Sequence, residues 1–370
     1  MSPSDRRRFL SAAAKAALLA AVPQALRGTA WSSPGKLGVP AGASAEKIRG
    51  FDFEKLDTFL TPTEKFFLRS HLEIPTLRPE AFRLKVGGHV ERPAVWSLAD
   101  LERLPRLEMP ATFECSGSAV GGGMISTAQW SGVSLVEVVE RSRPTTGALE
   151  VVMEGADAGL DELVPVPVQF ARSVPLVVLR KMPAMLVMQM NGKPLLPVHG
   201  YPLRVVLPGL YGVQNVKWLI GLTVVDQPYE GFYQTQRYVG LERVPQGVRM
   251  EEILRQRVKS QIARLAPDAS GKKGEYLIDG AAWSGSGAIT RVEMSADGGR
   301  RWEQATFSPA PNEHSWVLWS HRFQAAPGSH EILVRATDAS GQTQPLQRDP
   351  GILTGYVNNW CERRTLNVPS

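Results

Sequence analysis

The chain has 370 residues, 43% apolar and 21% charged, enough for two domains at roughly 100–200 residues each, and no apolar run reaches the ~18 residues of a membrane span. Cys115 and Cys361 are the only cysteines, which excludes a disulfide framework, the Cys-rich zinc and iron–sulfur patterns, and the Cys-x-x-Cys-His of a c-type haem. Residues 1–43 hold Arg6, Arg7, Arg8, Lys15, Arg27 and Lys36 against Asp5, and so carry five of the six net positive charges; the rest is near neutral, and no nucleic-acid partner is expected.

In chain order, Asp5-Arg6-Arg7-Arg8-Phe9-Leu10 followed by an alanine-rich run reads as a twin-arginine export signal. It predicts a periplasmic protein exported by the twin-arginine translocase, and Ala41-Gly42-Ala43 offers one cleavage site. Arg69 and His71, two apart, share a face of an extended segment. Alternation at Phe82, Leu84 and Val86 predicts a strand over 82–90, and Ser97 caps a helix over 98–104.

A second extended run ends at Phe113-Glu114-Cys115, and the loop that follows is too rich in glycine and serine to pack. The thiol therefore stands where a strand gives way to mobile backbone, a place from which a soft ligand reaches a metal. A lone thiol also reads as a buried core cysteine. Ser134 caps a helix to Arg141, a β run over 149–154 ends at Gly155-Ala156-Asp157, and a helix-like region contains Ser173. The methionines between 182 and 190 are core packing.

His199, Arg204 and Lys217 flank a β run and a Gly-Pro turn, a donor set that suits a phosphate. Residues 226–255, with Tyr238, read as a polar linker. Beyond them, short strands at 259–265, 275–282, 289–295, 302–307, 316–323 and 331–337 predict an immunoglobulin-like β-sandwich with Trp316 and Trp319 in its core.

Together these residues resemble the sulfite oxidase family of molybdopterin enzymes. Phe66-Phe67-Leu68-Arg69-Ser70-His71 is similar to the family's Phe-Phe-Val-Arg-Asn-His, Cys115-Ser116-Gly117 to its Cys-Ala-Gly-Asn, and Met190-Asn191-Gly192 to its Met-Asn-Gly. His199-Gly200-Tyr201-Pro202-Leu203-Arg204 is similar to His-Gly-x-Pro-x-Arg, and Val216-Lys217-Trp218 to Val-Lys-Trp. The resemblance implies an α+β fold: a mixed α/β molybdopterin-binding domain over 44–245 after the leader at 1–43, then a β-sandwich dimerisation domain over 246–370.

It further implies that Cys115 ligates molybdenum and that His71, His199, Arg204 and Lys217, with Asp157 and Ser173, hold the molybdopterin. Arg69 would face a small sulfur-containing anion and Tyr238 would stand beside the metal. The implied enzyme is a homodimeric, sulfite dehydrogenase-like oxidoreductase that passes electrons to a c-type cytochrome.

Three positions depart from the sulfite-oxidising pattern. Val120 and Thr354 stand where basic residues are expected, and Ser118 replaces the asparagine of Cys-Ala-Gly-Asn. At roughly 1.5–3 kcal/mol per charge-assisted contact, two missing cations weaken sulfite binding by orders of magnitude. A sulfur compound carried on a partner protein, sulfoxide reduction, and a non-catalytic secreted binding protein are the alternatives.

Overall fold

In the computed structural model, residues 47–269, 272–308 and 312–370 are described; the twin-arginine segment and its cleavage site lie outside them. Two five-stranded sheets build the first half. One runs Ala94–Trp96, Leu84–Gly88, Leu219–Val225, Glu150–Asp161, Val164–Pro175, antiparallel throughout except where Leu219–Val225 lies parallel to Leu84–Gly88. The other runs Lys193–Pro194, Met185–Met190, Ile125–Ser134, Arg106–Glu114, with Arg204–Val206 also paired to Met185–Met190.

Leu84, Val86, Val151, Met153, Leu186, Val205 and Leu222 from these sheets fill one core. The helices close it for reasons visible in the chain. Ser97 accepts a hydrogen bond from the Asp100 N–H, and Asp100 accepts one from the Ser97 N–H, a reciprocal cap on Leu98–Glu102. Ser134 caps Leu135–Arg141, whose Leu135, Val138 and Val139 are buried.

The second half is a sandwich of two four-stranded antiparallel sheets. One is Lys259–Pro267, Glu275–Trp283, Val317–Gln324, Thr306–Phe307; the other is Glu303–Gln304, Ile289–Ser295, Gly328–Asp338, Arg363–Val368. Ile278, Val292, Trp319, Ile332 and Val334 meet between them, which is the expected α+β plus β-sandwich architecture. Trp316 and Trp319 are both buried but, three apart, do not share a face. Trp319 packs inside the sandwich, whereas Trp316 joins Phe53 and Trp283 in a separate cluster.

Three local expectations need correction. Ser173 lies on the strand Val164–Pro175, not in a helix; this is an edge strand, where Pro165 and Pro167 remove no needed donors. Residues 226–255 are more than a linker. They form a π-helical turn, Tyr233–Arg237, and a hairpin, Val239–Val244 with Gly247–Glu252, in which Val248 and Met250 alternate with Arg249 and Glu251 yet stay exposed. The loop after Cys115 packs after all: Ser116 and Ser118 are buried, Val357 N–H donates to the Ser116 carbonyl at 2.8 Å, and Asn358 donates to that of Ser118 at 3.1 Å.

Sandwich residues complete the strand that leads to Cys115. Along Arg106–Glu114, Thr112 N–H donates to the His314 carbonyl at 2.9 Å, and the Thr112 hydroxyl accepts from Trp316 N–H at 2.8 Å. The otherwise free edge of that sheet is thereby closed.

Candidate active site

Side chains alternate along Arg106–Glu114 and into Cys115. Phe113 and Cys115 face a cavity of about 710 Å3, part of it open to solvent, with His71, Asp157, His199 and Tyr238 also in its wall. Cys115 N–H donates to the Met124 carbonyl at 2.9 Å, carrying the ladder one residue past the strand, and the Cys115 carbonyl accepts from Ser118 N–H at 2.8 Å. Close packing demands Gly123, because a Cβ there would stand 2.0 Å from the Phe51 carbonyl oxygen. The thiol lines the cavity without being fully buried, and the protein around it raises its pKa through desolvation.

Around the thiol stand Arg69, His71 and Tyr238. Arg69 ends the short strand Leu68–Arg69, paired with Ile48–Arg49. Its guanidinium lies 3.5 Å from His71 Nδ1, and His71 Nε2 lies 2.5 Å from the Tyr238 hydroxyl. Burial first, then the Arg69 charge, lowers the His71 pKa to about 3, so the ring is neutral. A guanidinium only donates, so Nδ1 accepts and the ring proton sits on Nε2, donated to the tyrosine oxygen. The Tyr238 proton is then left to point elsewhere, and the cavity is what Tyr238 lines.

A second group gathers anion-binding donors. Gly200, in the left-handed region at φ 104°, reverses the chain so that His199 and Arg204 meet; a Cβ there would crowd Arg204 and Lys217 at 3.1 Å. Arg204 donates to the His199 carbonyl at 2.9 Å and the Asn215 carbonyl at 3.2 Å, and stacks on Phe113 and Trp130. Burial alone lowers its pKa to about 9. Lys217 donates to Ser70 at 2.5 Å and lies over Trp218; burial and then the Arg204 charge hold its pKa well below an ordinary lysine's.

Asp157 reaches the same wall from a register irregularity between Glu154 and Ala158, a bulge that re-aims its side chain. Burial raises its pKa, and its Oδ1 has no partner among the described residues.

His199 is neutral as well, lowered to about 3 chiefly by burial, with Nε2 3.0 Å from the Thr63 carbonyl. The unfolded chain protonates His71 and His199 near pH 6.5, the folded chain only near 3, so in between the unfolded state binds more protons and stability rises with pH. Thermal unfolding of the protein is therefore expected at lower temperature at pH 5 than at pH 7.5. The double change His71→Gln/His199→Gln should shrink that difference; an unaltered difference would place its origin elsewhere.

Of the residues singled out from sequence, eight line this cavity: Arg69, His71, Cys115, Asp157, His199, Arg204, Lys217 and Tyr238. Ser173 is not brought there; its hydroxyl donates to Glu150 at 2.6 Å. Sequence reading passed over Ser70, which receives Lys217, and Tyr356, whose ring lies 5.1 Å from that of Tyr238. Ser70 had a signal, standing between Arg69 and His71; Tyr356 had only its place in the Gly355–Asn359 stretch.

A cofactor with a phosphate and a heterocycle fits this donor set. Arg204 and Lys217 are buried cations whose hydrogen bonds go to carbonyls and a hydroxyl, so a phosphate would bring their counter-charge. The unpaired Asp157 oxygen, in the wall of the same cavity, suits the amino group of a pterin.

Such a site beside a cavity-facing thiol suits a cofactor-dependent enzyme, and similarity to known proteins gives its class. The sequence profile described as "Oxidoreductase molybdopterin binding domain" matches residues 71–233, and that described as "Mo-co oxidoreductase dimerisation domain" matches residues 252–368. Sulfite oxidase of Gallus gallus is 32% identical over 320 residues, 78% of this chain and 69% of that protein. The mitochondrial sulfite oxidase of Homo sapiens is also 32% identical over 320 residues, but the match spans 58% of its length. Among solved structures, the sulfane dehydrogenase SoxCD of Paracoccus pantotrophus superposes with a TM-score of 0.77 at 26% identity, over 99% of this chain and 95% of that one. The chain belongs to the sulfite oxidase family, and it is an oxidoreductase whose cofactor is molybdopterin with molybdenum.

Proposed function

We propose that this protein is an exported homodimer that oxidises sulfur in a small or carried substrate and passes the electrons to a c-type cytochrome. The observation that supports it is the grouping, in one cavity, of the Cys115 thiol with Arg69, His71 and Tyr238, beside the cationic seat of Arg204 and Lys217. Export is supported by the Arg6-Arg7 segment, and dimerisation by the match at residues 252–368.

Cys115 would ligate the metal; His199, Arg204, Lys217 and Asp157 would hold the pterin and its phosphate. When bound, the molybdenum centre supplies two-electron oxygen-atom exchange with sulfur. Arg69 binds and orients the anionic end of the substrate. Neutral His71 fixes the Tyr238 hydroxyl, which donates its proton in a hydrogen bond to oxygen on the sulfur as charge develops there. Phe66, Phe113 and Phe170 give the wall its apolar part.

Sulfane sulfur is favoured over free sulfite for a specific reason. Neither Val120 nor Thr354 lines the cavity, and both are uncharged, so among the described residues the lining cations are Arg69 by the thiol and Arg204 and Lys217 in the phosphate seat. A monoanionic or carried sulfur suits that better than a dianion, and the superposed SoxCD is named a sulfane dehydrogenase.

The test is steady-state turnover of holoenzyme with cytochrome c, given sulfite or a persulfidated cysteine peptide, with methionine sulfoxide and a reduced dye as a third assay. Higher kcat/KM with the persulfide is expected. A preference for sulfite would restore the sulfite dehydrogenase reading, and turnover of the sulfoxide alone would sink the oxidative one.

A further inference from the structure

Behind Cys115, on the face of the strand turned away from the cavity, lies Glu114. Its carboxylate is 2% exposed and receives two donors from the sandwich: Lys259 Nζ at 2.7 Å and Trp283 Nε1 at 2.9 Å. The Lys259 ammonium is 1% exposed. Lys259 and Trp283 are cross-strand partners on Lys259–Pro267 and Glu275–Trp283, so the pairing of those two strands brings both donors to one carboxylate.

Period-two alternation divides this strand by task. Phe113 and Cys115 face the cavity, while Thr112 and Glu114 face the second half of the chain, which grips both. A buried ion pair is poor at supplying stability, because desolvating two charges offsets most of their attraction and an apolar pair often does as well. Geometry and local charge are what the pair sets here. Glu114 is the residue before Cys115 and its charge reaches the thiol across the strand, so an uncompensated negative charge there would destabilise a thiolate.

We propose that Lys259 and Trp283 are positioning residues for the Cys115 thiolate, holding Glu114 from behind so that the strand end is fixed and the carboxylate charge beside the sulfur is cancelled. This inference rests on the reading of Cys115 as the metal ligand. The sandwich is then part of the metal site's support as well as a candidate dimer surface.

The experiment compares exported holoenzyme carrying Lys259→Met, Glu114→Gln, Glu114→Gln/Lys259→Met or Cys115→Ser with the wild type. It reads molybdenum per chain, the energy of the thiolate-to-metal absorption band, and the midpoint potential of the metal. Lys259→Met leaves an unpaired carboxylate beside the thiolate; the band should shift and the potential fall, with roughly a tenfold loss of metal affinity, as for other outer partners of metal ligands. The uncharged double variant should return the potential toward the wild-type value.

Wild-type band and potential in Lys259→Met, with only a lowered Tm, would overturn the proposal and leave a structural brace. Should Lys259→Met fail to fold, Glu114→Gln decides: its potential is expected to rise, because the carboxylate charge is gone and the ammonium stays, and no change overturns the proposal. If Cys115→Ser keeps the band, the ligand reading fails and this inference with it; if it loses the band while the Lys259 variant is unaltered, only this inference fails.

Discussion

Cys115→Ser is expected to yield a folded chain with almost no turnover and no thiolate-to-metal absorption. A serine hydroxyl stays protonated at neutral pH and is a hard ligand where the metal prefers a soft one. The loss should exceed the roughly 10–100-fold that outer partners of metal ligands cost. Turnover and molybdenum content measured on the same preparation check it, and a variant within tenfold of wild type would remove Cys115 from the metal. Burial raises the pKa of the free thiol, so ligation must release a proton, and metal loading of the cofactor-free chain should rise with pH.

Arg69→Gln should act on binding. One charge-assisted contact of about 1.5–3 kcal/mol is lost, a roughly 10–150-fold rise in KM for an anionic substrate. The His71–Tyr238 contact does not run through the guanidinium, so it and much of kcat should survive. Initial rates over a range of substrate concentrations decide the matter. An unchanged KM with a fallen kcat would mean that the guanidinium acts in the transition state alone.

Much of this was legible in the chain. Caps at Ser97 and Ser134 and the alternating strands of the sandwich each have a local cause, and local causes survive into the fold. The cavity residues came from spaced motifs, because a phosphate seat needs particular donors around a particular turn. Position within an element was harder. Ser173 looked helical because Pro175 and Leu176 do begin a short helix, yet the edge strand runs up to it.

The hairpin after Tyr238 was hidden because its strands bury little on either face, and the aim of Asp157 depends on a bulge that only the paired strand reveals. Arg363–Val368 does alternate, with Leu366 and Val368 against the core, but two arginines open it and only those two apolar residues mark it as a strand. No periodicity announces Glu114 and Lys259, 145 residues apart; such a pair exists only once two separately patterned halves meet.

The His314 and Trp316 contacts to Thr112 carry a consequence for synthesis. The strand that presents the thiol takes part of its hydrogen bonding from residues some two hundred positions later. A nascent chain that has emerged only through the hairpin at Gly247–Glu252 has the thiol, the guanidinium and the lysine, but an open sheet edge beside them. The residues that line the cavity lie between Phe66 and Tyr238, but the strand behind the thiol gains these edge contacts only when the last third arrives, and ordering those distant segments comes before the contacts that reward it. Full support of the thiol-bearing strand is accordingly expected late in the folding of each molecule, closer to release from the ribosome than to the first appearance of the thiol.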